Sequence, residues 1–170
     1  AGIRNLVAHI TIARRFGIPV VVAINAFSTD TDREMELIRE SSLNAGAVDA
    51  VRADHWEQGG EGARQLAEAV VKACERESSV SFLYELNCSI KEKIETIATQ
   101  IYGAQQIEYS NTANRQIRDF EESGFSDLPI CMAKTHLSIS HDPEMKGVPS
   151  GYTLPVNEIR LSAGAGFLYP

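Results

Sequence analysis

Three short clusters of this 170-residue chain hold the residue types that could do chemistry, and each follows an apolar run. The first is Asn25-Ala26-Phe27-Ser28-Thr29-Asp30, directly after Pro19-Val20-Val21-Val22-Ala23-Ile24. An Asn amide can both donate to and accept from a heterocycle edge, and a Phe ring offers a face on which a flat ligand stacks. The local alternative is that Thr29 or Thr31 caps the next helix, Asp30 favours its dipole and Phe27 simply packs. The second cluster is Asp54-His55-Trp56-Glu57 with Gly59, Gly60 and Gly62. Trp56 is the only Trp, and a glycine-rich loop is an odd place for core packing. If the two strands are neighbours, Phe27 and Trp56 leave the same sheet end and could clamp one planar ligand; otherwise Trp56 caps the sheet edge. The third is Ala133-Lys134-Thr135-His136, where a Lys at a strand end can meet a phosphate or carboxylate.

Other patterns are weaker. Gly59-Gly60-Glu61-Gly62 precedes a helix, as phosphate-binding loops do, but matches neither G-x-G-x-x-G nor G-x-x-x-x-G-K-[ST]. Flexible entry to the helix is its expected role. Ser138, Ser140, His141 and Asp142 hold the residue types of a hydrolase triad without a nucleophile-elbow context, so a triad is set aside. The three cysteines, Cys74, Cys88 and Cys131, lack metal-type spacing and read as free, buried thiols in a reducing compartment. The four histidines are scattered, and no metal site is expected.

The elements that must position these clusters follow from periodicity. Ile3, Leu6, Val7, Ile10 and Ala13 share a helical face that Gly17 ends. Residues 18–26 read as a strand buried on both faces. Thr31-Asp32-Arg33-Glu34 is a capping box, predicting a helix to about Asn44 with Met35, Ile38 and Leu43 inward and Gly46 as its stop. A second strand is expected over 47–53, then a polar loop over 54–62, then an amphipathic helix with Ala63, Leu66, Ala67, Val70, Val71 and Cys74 inward. This βαβα order argues for parallel strands with helical crossovers. Further on, Ser89-Ile90-Lys91-Glu92 is a second capping box before the stripe Ile90, Ile94, Ile97, Ala98 and Ile101, ended by Gly103. Short strands are expected at 107–109, 129–133 and 152–161, a helix at 112–123 with Ile117 and Phe120 inward, and a long irregular loop at 136–151. The fold class is α/β with a mostly parallel sheet, split between a βαβα part at 1–78 and a helical, irregular part at 79–170 that ends in a strand.

Net charge is −7, with 44% hydrophobic and 23% charged residues, which argues against nucleic acid or an anionic membrane as partner. No run of eighteen apolar residues is present, so no membrane span is expected. The chain starts with Ala rather than Met and stops in the apolar Gly166-Phe167-Leu168-Tyr169-Pro170; both features read as signs of a fragment.

Several stretches together resemble the formate–tetrahydrofolate ligase (10-formyltetrahydrofolate synthetase) family, and within it the synthetase region of eukaryotic C1-tetrahydrofolate synthases. They are Phe16 to Asn25, Phe27 to Thr31, Trp56 with Gly59 to Gly62, Ile101-Tyr102-Gly103, Leu128 to Thr135, and Ile159 to Phe167. The resemblance implies ATP-dependent joining of formate to tetrahydrofolate through formyl phosphate, in one-carbon metabolism and purine biosynthesis. It implies Mg2+ with ATP, a monovalent cation (K+ or NH4+), a homo-oligomer at full length and a cytoplasmic location, a mitochondrial form being the other possibility. Phe27 and Trp56 match the aromatic pair that flanks the folate ring in that family. Asn25, Thr29, Lys134 and Thr135 join the substrate-binding set by strand-end position alone, and no catalytic residue is assigned. The family's P-loop, G-x-x-x-x-G-K-[ST], is absent from these residues, so the chain is expected to be a P-loop NTPase-like half domain without its phosphate cradle, inactive alone. The alternative is the C-terminal half of a G-protein-like module, whose strand ends in Asn-Lys-x-Asp; Asn25 fits, while Ala26 and Ser28 stand at the Lys and Asp positions.

Overall fold

A computed structural model describes residues 2–170. It divides into two compact units, residues 1–81 and 82–170. In the first, α1 (Ile3–Arg14) leads through Gly17 to β1 (Val21–Asn25), then α2 (Asp32–Asn44) and β2 (Asp49–Ala53). The strands pair in parallel with Asn25 opposite Ala53, so the chain leaves both at the same sheet end. A short turn of helix α3 (His55–Gln58), a 3-10 turn (Glu61–Ala63) and α4 (Arg64–Cys74) complete the unit. The βαβα order and parallel pairing expected from the sequence are present.

Both capping boxes form. Thr31 caps α2: the Glu34 amide donates to Thr31 Oγ1 at 3.3 Å, and the Thr31 amide donates to Glu34 Oε2 at 3.0 Å. Gly46 ends α2 with φ 91°. Each box satisfies helix-end donors that would otherwise face only water. Hydrogen bonds from the hydroxyl and amide of Thr31 hold the exposed Glu34 carboxyl below its ordinary range.

The inward faces differ from expectation at two helices. On α2, Met35 and Ile38 are half-buried, but Leu43 is exposed and Ser42 is buried instead, its hydroxyl bonded back to the Ile38 carbonyl at 2.7 Å. On α4, Leu66, Ala69 and Ala73 face inward, while Ala67, Val70, Val71 and Cys74 are exposed. The apolar stripe of α4 is wider than the strip that β1 and β2 cover, and the small Ala side chains allow closer approach to the strands than Val does.

In the second unit, Ser89 caps α5 (Ile90–Gln100) with its own box to Glu92. β3 (Gln106–Tyr109), α6 (Asn111–Glu122) and β4 (Thr153–Val156) follow, then β5 (Arg160–Ser162) and β6 (Phe167–Tyr169). β3 and β4 are parallel; β5 and β6 form an antiparallel hairpin. The core gathers Ile90, Ile94, Ile97 and Ala98 of α5 with Ile117, Leu154, Val156, Ile159 and Leu168.

Two strand expectations change here. The single strand expected at 152–161 is two, β4 and β5, because Asn157 and Glu158 break the ladder. Residues 129–133 form one bridge, Ile130 to Leu168, flanked by Leu168 N–H to Pro129 O at 2.9 Å and Cys131 N–H to Leu168 O at 2.8 Å. Pro129 has no N–H to extend the pairing. The cysteines are free as expected but not buried: Cys74 and Cys131 are exposed and Cys88 is intermediate. No helix among the described residues is long and apolar enough to cross a membrane.

Candidate functional site

The end of the β1–β2 pair carries the first two clusters. Past Asn25 the chain stays paired for one more residue, the Ala26 amide donating to Ala53 O at 3.1 Å. It then closes a turn over Phe27–Asp30. The Phe27 amide donates to Asp30 Oδ2 at 2.8 Å and the Asp30 amide donates to Phe27 O at 3.0 Å. Asp30 is therefore the residue that shapes the turn, and Phe27 stands at its rim, 54% exposed. Thr29 lies in the same turn and is exposed, while the helix cap is Thr31.

Asn25, at the last position of β1, is exposed and lines a cavity of about 420 Å³ walled by Ile3 and Leu6 of α1 and Met35 and Ile38 of α2. Asp30 and Glu34 line it too, so the amide shares a partly apolar wall with two carboxyl side chains.

The second loop is more ordered than its composition suggested. The Asp54 carbonyl accepts the Glu57 and Gln58 amides, each at 3.0 Å, and Gln58 Nε2 donates to Asp54 Oδ2 at 2.9 Å. Arg52 Nε lies 3.5 Å from the same carboxylate oxygen. These bonds wind His55–Gln58 into a helical turn on which Trp56 stands out, 80% exposed. The glycines have structural duties. Gly59 leaves α3 at φ 60°, a conformation that favours glycine. Gly62 packs so close that a Cβ there would lie 2.7 Å from the Asp54 backbone, and its carbonyl accepts the Asp54 amide at 3.2 Å. The first turn of α4 is occupied by Arg64, paired with Glu61 at 2.9 Å. The loop is built to hold the Trp56 turn, which sequence reasoning missed at Asp54 and Gly62 because the bond between them depends on folding.

Phe27 and Trp56 thus rise from adjacent loops at one sheet end, and neither ring stacks on another aromatic side chain among the described residues. Another cavity of this unit, about 500 Å³, lies elsewhere, along α2, β2 and α4. Acids and bases alternate on its wall, with Arg39 Nη2 3.4 Å from Asp49 Oδ1, and none of the candidate residues lines it.

Lys134 and Thr135 belong to the second unit, at the head of the 136–151 loop. That loop is irregular, as expected, yet closely bonded. Ser138 and Ser140 are buried and share a hydrogen bond at 2.8 Å; the Thr135 amide donates to Ser140 O at 3.0 Å. Ser140 Oγ also donates to Asp142 O at 3.0 Å, and the His141 ring lies against Tyr152, centroids 5.5 Å apart. The serines are thereby committed to structure, consistent with setting the triad aside. Among the described residues no cluster of three or more His, Cys, Asp or Glu side chains is placed to hold a metal ion, so no step is assigned to magnesium on these residues.

Comparison with known proteins agrees with the resemblance. A family model described as formate–tetrahydrofolate ligase matches residues 1–170. A formate–tetrahydrofolate ligase of Desulforamulus reducens is 54% identical over 169 residues, 99% of this chain and 30% of the relative. The cytoplasmic C-1-tetrahydrofolate synthase of Rattus norvegicus is 54% identical over 99% of this chain and 18% of its own length. The mitochondrial C-1-tetrahydrofolate synthase of Schizosaccharomyces pombe is 51% identical, again over 99% and 18%. The chain therefore spans less than a third of the curated relatives it matches. It belongs to the formate–tetrahydrofolate ligase family.

Proposed function

We propose that this chain is the folate-side part of an ATP-dependent ligase that joins formate to tetrahydrofolate, giving 10-formyltetrahydrofolate by way of formyl phosphate. The observation that carries the reading is the parallel pairing of β1 and β2, which sends the Phe27 turn and the Trp56 turn out of one sheet end with both rings exposed. Ligands of open α/β sheets bind at that end of the strands. In this reading the two rings flank the flat pterin-like ring of the folate, Asn25 meets its polar edge from the adjoining cavity, and Thr29 lines the rim. Lys134 and Thr135, in the second unit, are read as substrate-binding residues by their position at the end of an apolar run.

ATP, its Mg2+ and the monovalent cation are assigned to the full-length enzyme. The first unit is read as half of a P-loop NTPase-like domain whose phosphate loop lies outside these 170 residues. The Gly59–Gly62 loop does not replace it, since its glycines serve the Trp56 turn and Arg64 fills the helix start. We place the full-length protein in the cytoplasm, as a homo-oligomer.

Two experiments test the proposal. In the full-length enzyme, Trp56→Ala is expected to weaken tetrahydrofolate binding roughly tenfold to hundredfold, the ~1–3 kcal/mol that stacking on an aromatic side chain contributes, with ATP affinity unchanged. Isothermal titration with each ligand reads both; equal folate affinity in mutant and parent removes the clamp. For the 170-residue chain alone, no formate-dependent release of phosphate from ATP is expected. Measurable turnover would show that the phosphate chemistry is complete without the missing part.

A further inference from the structure

Trp56 is the more exposed of the two candidate clamp rings, so its direction is set by the backbone turn that carries it. That turn, His55–Gln58, is four residues long. Helices shorter than about 12–15 residues are marginal in water by themselves, so a single turn needs ties beyond its own backbone bonds. Asp54 supplies them. Its carboxylate, on a side chain only 17% exposed, accepts Gln58 Nε2 at 2.9 Å and so spans the turn from the residue before it to its last. Its amide donates to Gly62 O at 3.2 Å, which closes the loop behind the turn. Gly62 leaves no slack, since a Cβ there would lie 2.7 Å from the carbonyl carbon, the carbonyl oxygen and Oδ1 of Asp54.

The Phe27 turn has a shorter closure, made between Phe27 and Asp30 themselves. At the Trp56 turn the side-chain hydrogen bond, rather than the charge of Asp54, is the working contact. Arg52 Nε stands 3.5 Å from Asp54 Oδ2, but its side chain is largely in solvent, where an ion pair contributes little. All these contacts lie within residues 52–62.

We propose that Asp54 is a positioning residue for ligand binding. Without touching the ligand, its bond to Gln58 and its seat against Gly62 hold Trp56 in the direction that stacking on a flat ring requires. A turn formed only part of the time weakens apparent affinity by that fraction. The inference rests on the folate reading for the identity of the ring, and it adds the residues on which the clamp's geometry depends.

Two measurements test it. Trp56 is the only Trp of the 170 residues, so time-resolved fluorescence anisotropy of this chain reports the turn alone, without ligand. Asp54→Ala and Gln58→Ala should each raise the amplitude of the fast local rotation at least about twofold, on the ps–ns scale of side-chain motion. Gly62→Ala should act in the same direction by displacing Asp54, because Gly62 lies outside the left-handed region and meets only this contact. Asp54→Asn keeps an acceptor for Gln58 and should leave the rotation unchanged. Far-UV circular dichroism matching the parent reports that each variant folds; Gln58→Ala, at an exposed position, carries the test should Asp54→Ala not fold.

The second measurement is isothermal titration of the full-length enzyme. Asp54→Ala should weaken tetrahydrofolate about three- to tenfold, the usual net effect of one hydrogen bond, with ATP affinity unchanged. In a Trp56→Ala background it should cost nothing further, because Asp54 acts only through the ring. The proposal falls if rotation is unchanged in the Ala variants, if folate affinity survives faster rotation, or if Asp54→Ala costs as much without Trp56 as with it. Unaltered folate affinity in Trp56→Ala alone is a different result: it removes the clamp and the ligand role of Asp54 together, while the ligand-free rotation still shows whether Asp54 holds the ring.

Discussion

Lys93→Ala should lower the stability of the second unit by about 3–5 kcal/mol, the largest loss expected of any single change in the chain. Lys93 sits on α5 between Ile90 and Ile94 and is fully buried. Its ammonium donates to the carbonyls of Ser126 and of Leu128, the latter at 3.1 Å. These acceptors belong to the segment that turns from α6 toward the Ile130 bridge, so one side chain ties that segment to the core helix. Truncation removes four heavy atoms from a packed site and leaves both carbonyls without this donor. Lys93→Met keeps most of the volume and loses only the hydrogen bonds, so it should cost less than Lys93→Ala; the difference between them measures the cavity.

The same site makes a pH prediction within this variant pair. Burial pushes the Lys93 ammonium below its usual range, partly opposed by Cys88 and Asp127. The unfolded chain then holds the proton more tightly than the folded one. Stability should rise with pH from the lowered value up to the ordinary lysine value of about 10.4, and this component should be missing in Lys93→Met. All five tyrosines lie in the second unit, so the near-UV circular dichroism of tyrosine reads its thermal unfolding directly. A melting temperature unchanged in Lys93→Ala would mean that water replaces the ammonium at no cost, and the account of the buried cation would be wrong.

Lys93 also shows what a sequence can and cannot tell. The stripe Ile90, Ile94, Ile97 and Ala98 was legible because its period is a property of the helix itself, and all four are buried. Position 93 lies on the same stripe, but a Lys there reads as solvated; its acceptors are 33 and 35 residues away in sequence and exist only after folding. The capping boxes at Thr31 and Ser89 were legible for the opposite reason, since every bond in them spans three residues. The inner face of α4 was misread because an apolar stripe says which residues resist water, not which of them a neighbour covers. At the candidate site, the common exit of the Phe27 and Trp56 loops followed from one parallel strand pair. The tie between Asp54 and Gly62 did not, since it depends on a loop that closes only on folding.

Gly17→Ala is the second large change, expected to cost about 2–5 kcal/mol in the first unit. Gly17 turns the chain from α1 into β1 with φ 71°, a left-handed conformation that adds roughly 1–2 kcal/mol for any residue bearing a Cβ. A Cβ there would also lie 1.9 Å from the Ser79 carbonyl oxygen, an overlap that only backbone movement relieves. The segment it would displace is bonded to the same turn: the Ser79 amide donates to Gly17 O at 3.3 Å and the Ser81 amide to Phe16 O at 3.2 Å. Losing both adds about 0.5–1.5 kcal/mol each. Gly124→Ala supplies the control, because Gly124 has φ 81° and open space where its Cβ would go. It should show the conformational cost alone. Hydrogen exchange of peptides covering residues 16–25 reads the effect on β1, and thermal unfolding compares the two variants. Under the proposed clamp, faster exchange of β1, which leads into the Phe27 turn, should also weaken folate binding in the full-length protein. If Gly17→Ala proves no more costly than Gly124→Ala, the contact with Ser79 contributes nothing, and the anchoring of β1 must come from its pairing with β2.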